Sequence, residues 1–357
     1  MRSKHSGNAH LNRSRNTFDF LRLLAAVFVL VSHGLGLWDG RNDPFADFTG
    51  LTTLGSIGVA MFFAISGYWV TASWQNAGNL AVFAANRGLR LLPALAACVV
   101  LSAFVLGPAM TTLPLAEYFS SRETWSYLAN AWLQLRWTLP GVFAANPFPL
   151  SVNGSLWTLP IEALAYCGLA AIGFARLMDW RVTFALTVVA LVLLQSFAGH
   201  SPWPSLVVPG WNSIALAEAT RLAVPFLIGM SVRLAGDRAL SWWLCAAWLA
   251  AMWLVARTEA ASTIAMAGAG YIALVVGMRP IPLLHGFGRY GDFSYGMYLY
   301  AWPVSQTLVS FMDRGTSAYA YLLVCFAVTL SCAVLSWFTV EKPCLALKRR
   351  SLVDTAG

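Results

Sequence analysis

Charge is what this chain has least of. Only 11% of its 357 residues are Asp, Glu, Lys or Arg, against about a quarter in an average soluble domain. So few ionisable side chains exclude an ordinary soluble enzyme, which needs them to cover its surface. A paired-cysteine motif is missing too. The six cysteines, at 98, 167, 245, 325, 332 and 344, lie in or beside apolar runs with no CxxC and no other metal-ligand spacing. They read as small apolar fillers, and no metal site is expected. No small-residue cleavage site follows the first apolar run, Phe18 to Trp38, which marks it as a retained span and not a removed signal peptide. The net charge of +8 comes in ones and twos between apolar runs, without the interleaved aromatics of a nucleic-acid surface, so no nucleic-acid partner is expected.

What the sequence has in quantity is apolar length. Hydrophobic residues make up 58%, with 16 Trp and 21 Phe, and several uncharged runs reach the roughly 20 residues that cross a bilayer core. Such runs lie near 18–38, 51–74, 91–112, 156–175, 182–198, 213–232, 241–256, 260–278, 293–312 and 318–340. They predict an all-α, polytopic transmembrane helical bundle of about ten spans with both termini on one side. The organisation is a tail at 1–17, one membrane domain at 18–340 and a second tail at 341–357, with no appended soluble domain. Cationic loops are retained in the cytoplasm. Sixteen of the 23 Lys and Arg fall on the side of the N-terminus, five fall opposite, and Arg22 and Arg221 fall inside spans, so both termini are expected in the cytoplasm. The long outer connection 113–155, with Trp125, Trp132 and Trp137, is expected on or in the outer interface. It is either a structured cap or a lid over a substrate groove.

An ionisable group at membrane depth costs at least a few kcal/mol, so each needs a partner or a task. His33, about 15 residues into an outward-running span, lies roughly 7 Å short of the outer end, and Glu162 lies roughly 9 Å below the same face on the inward-running fourth span. Equal depth suits a His–Glu pair for general base catalysis. The plain alternative is that His33 bonds a neighbouring helix and Glu162 answers an arginine. Glu162 closes the run Asn153, Gly154, Ser155, Leu156, Trp157, Thr158, Leu159, Pro160, Ile161, Glu162, in which Ser155 can cap a helix and Pro160 is tolerated early. Glu218 and Arg221, and likewise Asp19 and Arg22, are spaced to pair along one helix face. Arg87 and Arg90 stand just before the third span, as topological anchors or as a phosphate site. Gly58 and Gly67, nine apart on the second span, allow close helix approach, and Ser66 can bond its own backbone.

These segments together resemble the acyltransferase 3 family of bacterial membrane O-acyltransferases, over nearly the whole chain. The resemblance rests on Phe18 to Ala26 leading to Ser32 and His33, on Phe62 to Tyr68, on Arg87 to Pro93, on Asn153 to Glu162, on Ser294 to Leu299, and on Val340, Glu341, Lys342, Pro343. It implies acyl transfer, in most members of acetyl, from cytoplasmic acyl-coenzyme A to a hydroxyl of a surface polysaccharide or lipid-linked glycan. Acyl-coenzyme A is a co-substrate, with no permanently bound cofactor. His33 matches the family's catalytic histidine and Glu162 the acid of its outer motif. Arg87 and Arg90 match its donor-binding cytoplasmic motif. Asn153, Ser155 and Trp157 of the outer motif, with Tyr295 and Tyr298 of the late motif, are the expected substrate-binding residues. Where the family commonly has a second histidine, this chain has Ala301. The implied location is the bacterial inner membrane, among its lipids. A transporter or flippase is the main rival, and an acyltransferase acting on a small metabolite is another; the oligomeric state stays open.

Overall fold

The computed structural model describes residues 16–40, 43–149, 151–196, 205–206 and 214–347. Most of the tail at 1–17 and the end of the tail at 341–357 therefore lie outside the described residues. Ten helices account for most of the rest: α1 (Phe18–Asp39), α2 (Leu54–Ala77), α3 (Leu80–Leu101), α4 (Thr158–Phe174), α5 (Trp180–Ser196), α6 (Leu216–Ala235), α7 (Trp242–Val255), α8 (Ala261–Gly277), α9 (Ser294–Phe311) and α10 (Ala318–Ser336). Each expected span coincides with one of them. Five helical runs are long and apolar enough to cross a membrane: Phe18–Asp39, Leu54–Ala77, Leu80–Met110, Gly154–Phe174 and Ala318–Leu347. Trp180–Leu194, Trp242–Val255 and Ala261–Gly277 are apolar but shorter. The strand pairing among the described residues is a two-residue match of Ser205–Leu206 with Ile214–Ala215.

The third helix departs from expectation at its start. It begins at Leu80, where the Asn79 side chain accepts a hydrogen bond from Val82 N, and it runs on through a π-helical turn at Ser102–Leu106 to Met110. Arg87 and Arg90 therefore lie two to three turns inside the helix and not ahead of it. A polar stretch at 84–90 conceals a helix whose cations face inward.

The centre of the bundle is α2, packed against α1, α6 and α8. Its glycines make that possible. A Cβ on Gly58 would strike the Ala25 carbonyl, one on Gly67 the Phe226 carbonyl, and one on Gly229 of α6 the Ala64 carbonyl. Small residues thus let three backbones touch, as the spacing of Gly58 and Gly67 predicted.

One end of the bundle carries the N-termini of α1, α3 and α9 and the C-termini of α2, α4 and α10, and is called proximal below; the other end is distal. The long connection forms a structured cap at the distal end. Leu115–Ser120, Arg122–Ser126 and the 3₁₀ turn Tyr127–Trp132 are helical, while Tyr118, Tyr127, Leu139, Val142, Phe143 and Val152 are buried. Asn146 Nδ2 donates to Gln306 Oε1 at 2.8 Å, and Gln306 Nε2 donates to the Phe148 and Ser151 carbonyls at 2.8 and 3.0 Å. Those bonds fasten the cap to α9. Trp125, Trp132 and Trp137 remain exposed, as interfacial aromatics do.

Candidate active site

A pocket of about 100 Å³ opens between α1, α2, α3, α4 and α9, lined by Arg22, Arg87, Arg90, Ser66, Glu162, Tyr166, Tyr295 and Tyr298 among apolar residues that include Phe62 and Trp69. Five of the expected site residues, Arg87, Arg90, Glu162, Tyr295 and Tyr298, meet here. The elements bring them together from well-separated positions in the chain, so that three arginines and one carboxylate border a single cleft.

Each polar group has a defined setting. Glu162 accepts from the Tyr166 hydroxyl, one turn further along α4, and from Ser66 Oγ at 3.3 Å. Ser66 therefore bonds Glu162 and not its own backbone. Arg87 lies over the Tyr166 ring, 5.9 Å from its centroid, so Arg87, Tyr166, Glu162 and Ser66 form a polar ladder into the bundle. Tyr295 donates to the Leu91 carbonyl at 2.8 Å and carries Arg90 over its ring at 5.8 Å. Arg90 Nη2 sits 2.5 Å from Asp292 Oδ2, and Arg22 Nη1 is 3.6 Å from the same oxygen. Burial pushes the Asp292 carboxyl up, but the Arg90 and Arg22 guanidiniums outweigh it and hold this group at about 2.

His33 lies elsewhere. Its ring stands edge-on to Trp302 with centroids 4.9 Å apart, and Nδ1 is buried with no hydrogen-bond partner. Glu162 takes Tyr166 and Ser66 as its partners, so the two expected members of one pair occupy different surroundings. The alternative reading, in which the acid answers an arginine, is not met by an ion pair among the described residues either: Glu162 is held by two hydroxyls. On the His33 side the acid is Asp43, bonded to Ser32, the neighbour of His33 in the chain. Asp43 Oδ2 accepts from Ser32 Oγ at 2.5 Å and from Leu54 N at 2.9 Å, and Oδ1 caps the short helix Pro44–Thr49 through Phe45 N at 2.9 Å.

The outer motif is structural in its contacts. Pro303 has no N–H for the Leu299 carbonyl four residues earlier, and Asn153 Nδ2 supplies the missing donor at 2.9 Å. Asn153 Oδ1 caps the 3₁₀ turn Gly154–Trp157 by accepting from Ser155 N at 3.1 Å. Asn153, and not Ser155, is thus the cap; Ser155 Oγ is buried without a partner. Tyr298 shares a 2.6 Å hydrogen bond with Thr158 and donates to the Ser155 carbonyl at 2.8 Å. Trp157 is half-buried against the main core. Asn153, Ser155 and Trp157 are not among the pocket-lining residues.

Elsewhere Glu218 and Arg221 pair at 3.1 Å and Asp19 and Arg22 at 3.8 Å, both as their spacing predicted. All six cysteines are free. Ala301 is buried within α9. Asp292, Tyr166 and Asp43 escaped the sequence reading. Tyr166 could have been found as the residue one helical turn beyond Glu162. Asp292 and Asp43, each just ahead of a helix, look like ordinary caps until the fold sets an arginine or a serine beside them.

This arrangement belongs with a sequence match that runs almost end to end: residues 15–337 fit the model of an acyltransferase domain. The chain belongs to the acyltransferase 3 family. It is therefore a membrane-embedded, multi-helix acyltransferase. It is 30% identical over 334 residues to the O-acetyl transferase of Shigella phage Sf6, covering 92% of this chain and 95% of that protein. It is also 32% identical to Nodulation protein 10 of Rhizobium leguminosarum bv. viciae, over an alignment of 370 positions covering 97% of each. No solved structure matches the chain.

Proposed function

We propose that this acyltransferase moves an acetyl group from cytoplasmic acyl-coenzyme A to a hydroxyl of a cell-surface polysaccharide or lipid-linked glycan, across a bacterial inner membrane. The observation that carries this reading is the division of chemistry between the two ends of α1. Arg22 faces a cationic pocket at the proximal end. His33, eleven residues on and about 16 Å further along the axis, presents a buried ring nitrogen with no hydrogen-bond partner among the described residues. An extended phosphopantetheine arm is long enough to cover that distance. Similarity along the full length to a protein named O-acetyl transferase supports acetyl and oxygen as the group and the acceptor atom.

On this reading both termini are cytoplasmic and the helices make about ten crossings. Arg87 meets the donor's phosphates at the proximal mouth, while the acceptor hydroxyl arrives at the distal end. His33 removes its proton as the oxygen attacks the thioester carbon, and coenzyme A leaves as the thiol. Asp43, through its hydrogen bond with Ser32, fixes the stretch of α1 that carries His33. Glu162 holds the ladder between the two ends. Tyr295 and Tyr298, with Asn153, Ser155 and Trp157, shape the passage around the substrates.

The test uses sealed vesicles of both orientations that carry the native glycan, supplied with labelled acetyl-coenzyme A outside. Label should enter the glycan when the cytoplasmic face is outward, and should stay out when it faces inward. Equal labelling from both faces, or labelling only from the opposite one, would overturn the proposed direction. Transfer to a soluble metabolite with none to glycan would replace the acceptor.

A further inference from the structure

The cations of the proximal pocket are not equivalent. Arg90 is bound on both sides of its guanidinium: Nη2 to Asp292 at 2.5 Å and Nη1 to Glu341 at 3.9 Å. Asp292 is in turn held by Ser294 Oγ at 2.5 Å and shared with Arg22. Glu341 is only 3% exposed. It reaches Arg90 because α10 continues into a π-helical turn, Trp337–Glu341, a local widening that proteins keep mostly where function needs it. These contacts join α1, α3, the loop before α9 and the end of α10 at one point.

Arg87 lies three residues earlier on the same helix and has a different setting. Among the described residues it makes no ion pair, and its Nε is buried without a hydrogen-bond partner. Its guanidinium rests on the Tyr166 ring with its charge facing the pocket. A fork already gripped by two carboxylates has little to offer an incoming anion, whereas an unspent one in an apolar cleft binds phosphate strongly.

We propose that the two arginines divide their roles: Arg87 is the phosphate ligand for the acyl donor, and Arg90 is a positioning residue, a strut clamped by Asp292 and Glu341 that keeps the mouth of the pocket in shape. This rests on the reading of acyl-coenzyme A as donor.

The test compares four variants of the full-length protein in detergent or membranes: Arg87→Gln, Arg90→Gln, Asp292→Asn and the double Arg90→Gln/Asp292→Asn. Melting temperature, abundance and the KM for acetyl-coenzyme A are measured for each. Arg87→Gln should melt like the wild type but raise the donor KM about tenfold or more, the effect of one lost charge-assisted bond. Arg90→Gln and Asp292→Asn should each lower the melting temperature. The double variant removes both members of the shortest pair, leaves Arg22 its contact with Asp19 and leaves Glu341 alone without its cation, so it should recover part of that loss, and its donor KM should rise far less than that of Arg87→Gln. A double variant no more stable than the single ones would overturn the strut. A double variant that regains stability yet shows the donor KM of Arg87→Gln would overturn the division, since Arg90 would then touch the donor. Direct titration of the wild type with coenzyme A separates this from the parent reading: no binding at all removes the donor assignment. Normal binding that Arg87→Gln leaves unchanged removes only the role of Arg87.

Discussion

Replacing His33 distinguishes a catalytic imidazole from a packing one, and the structure sets the size of each effect. A histidine kept for structure uses its ring nitrogens, because buried polar groups are almost always hydrogen-bonded. Nδ1 of His33 is buried and has no hydrogen-bond partner among the described residues, so no internal hydrogen bond of Nδ1 is lost with it. What the fold loses is the edge-on contact with Trp302, about 1 kcal/mol for an aromatic pair and a shift of only a few degrees in melting temperature. Removal of a general base lowers the rate by about 10²–10⁴, or about 3–5 kcal/mol of barrier. Two variants separate these terms. His33→Phe keeps a ring against Trp302 but takes no proton, and His33→Gln keeps polarity without titrating. Both should accumulate at near wild-type levels, Phe the more stable of the two, and transfer less than about one-hundredth of the acetyl groups per molecule. The assay is label incorporated into glycan from acetyl-coenzyme A, normalised to protein in the membrane. A well-inserted His33→Phe or His33→Gln that transfers at close to the wild-type rate would refute the assignment.

Other expectations are as direct. Glu162→Gln keeps an acceptor for Tyr166 and Ser66 but removes the negative charge beside Arg87, so abundance should hold while activity per molecule falls at least about tenfold. Asn153→Ala should act the other way. It leaves the Leu299 carbonyl to the weak Cys98 thiol donor, costs about 1–3 kcal/mol of stability and spares activity per molecule. A normal melting temperature with lost turnover would make Asn153 a substrate ligand after all. Asp292→Asn leaves Arg90 with only distant Glu341 and should cost about 3 kcal/mol at neutral pH. Because the folded Asp292 carboxyl is held at about 2 against an ordinary 3.8, its contribution is complete above the ordinary value and fades as pH falls toward 2. The gap in melting temperature between wild type and Asp292→Asn should therefore narrow as pH falls below about 4.

Much of the bundle was legible because lipid punishes charge so heavily. Uncharged runs located all ten helices, and the glycines of the second span announced a close crossing that α6 and α1 then made. The third helix shows the limit. Asn86, Arg87 and Arg90 resemble a cytoplasmic loop because the same residue types serve both as topological anchors and as inward-facing ligands, and only the Asn79 cap betrays an earlier start. Pairings between distant segments were out of reach for a different reason. Arg90 and Asp292 are 202 positions apart, and no local periodicity encodes their meeting. The same held for Glu162. Its depth along the helix could be counted, but the side of the helix on which it points could not, and that rotation decided between His33 and Ser66.

The glycine seams around α2 have a consequence for how two aqueous compartments can share one reaction. Carriers that rock between inward and outward forms need surfaces that slide over one another. Here the Ala25, Ala64 and Phe226 carbonyls sit directly against glycine backbone, and a shift of even one side-chain width would force a collision. Such a scaffold is a fixed partition with a workplace on either side. Phe62, which lines the proximal pocket and also packs with the cluster containing Trp302, stands where the two workplaces adjoin. On the proposed function the travelling part is then the flexible arm of the donor, which passes beside Phe62. On that reading the cell decorates its exterior from a store of activated acyl groups that never leaves its interior.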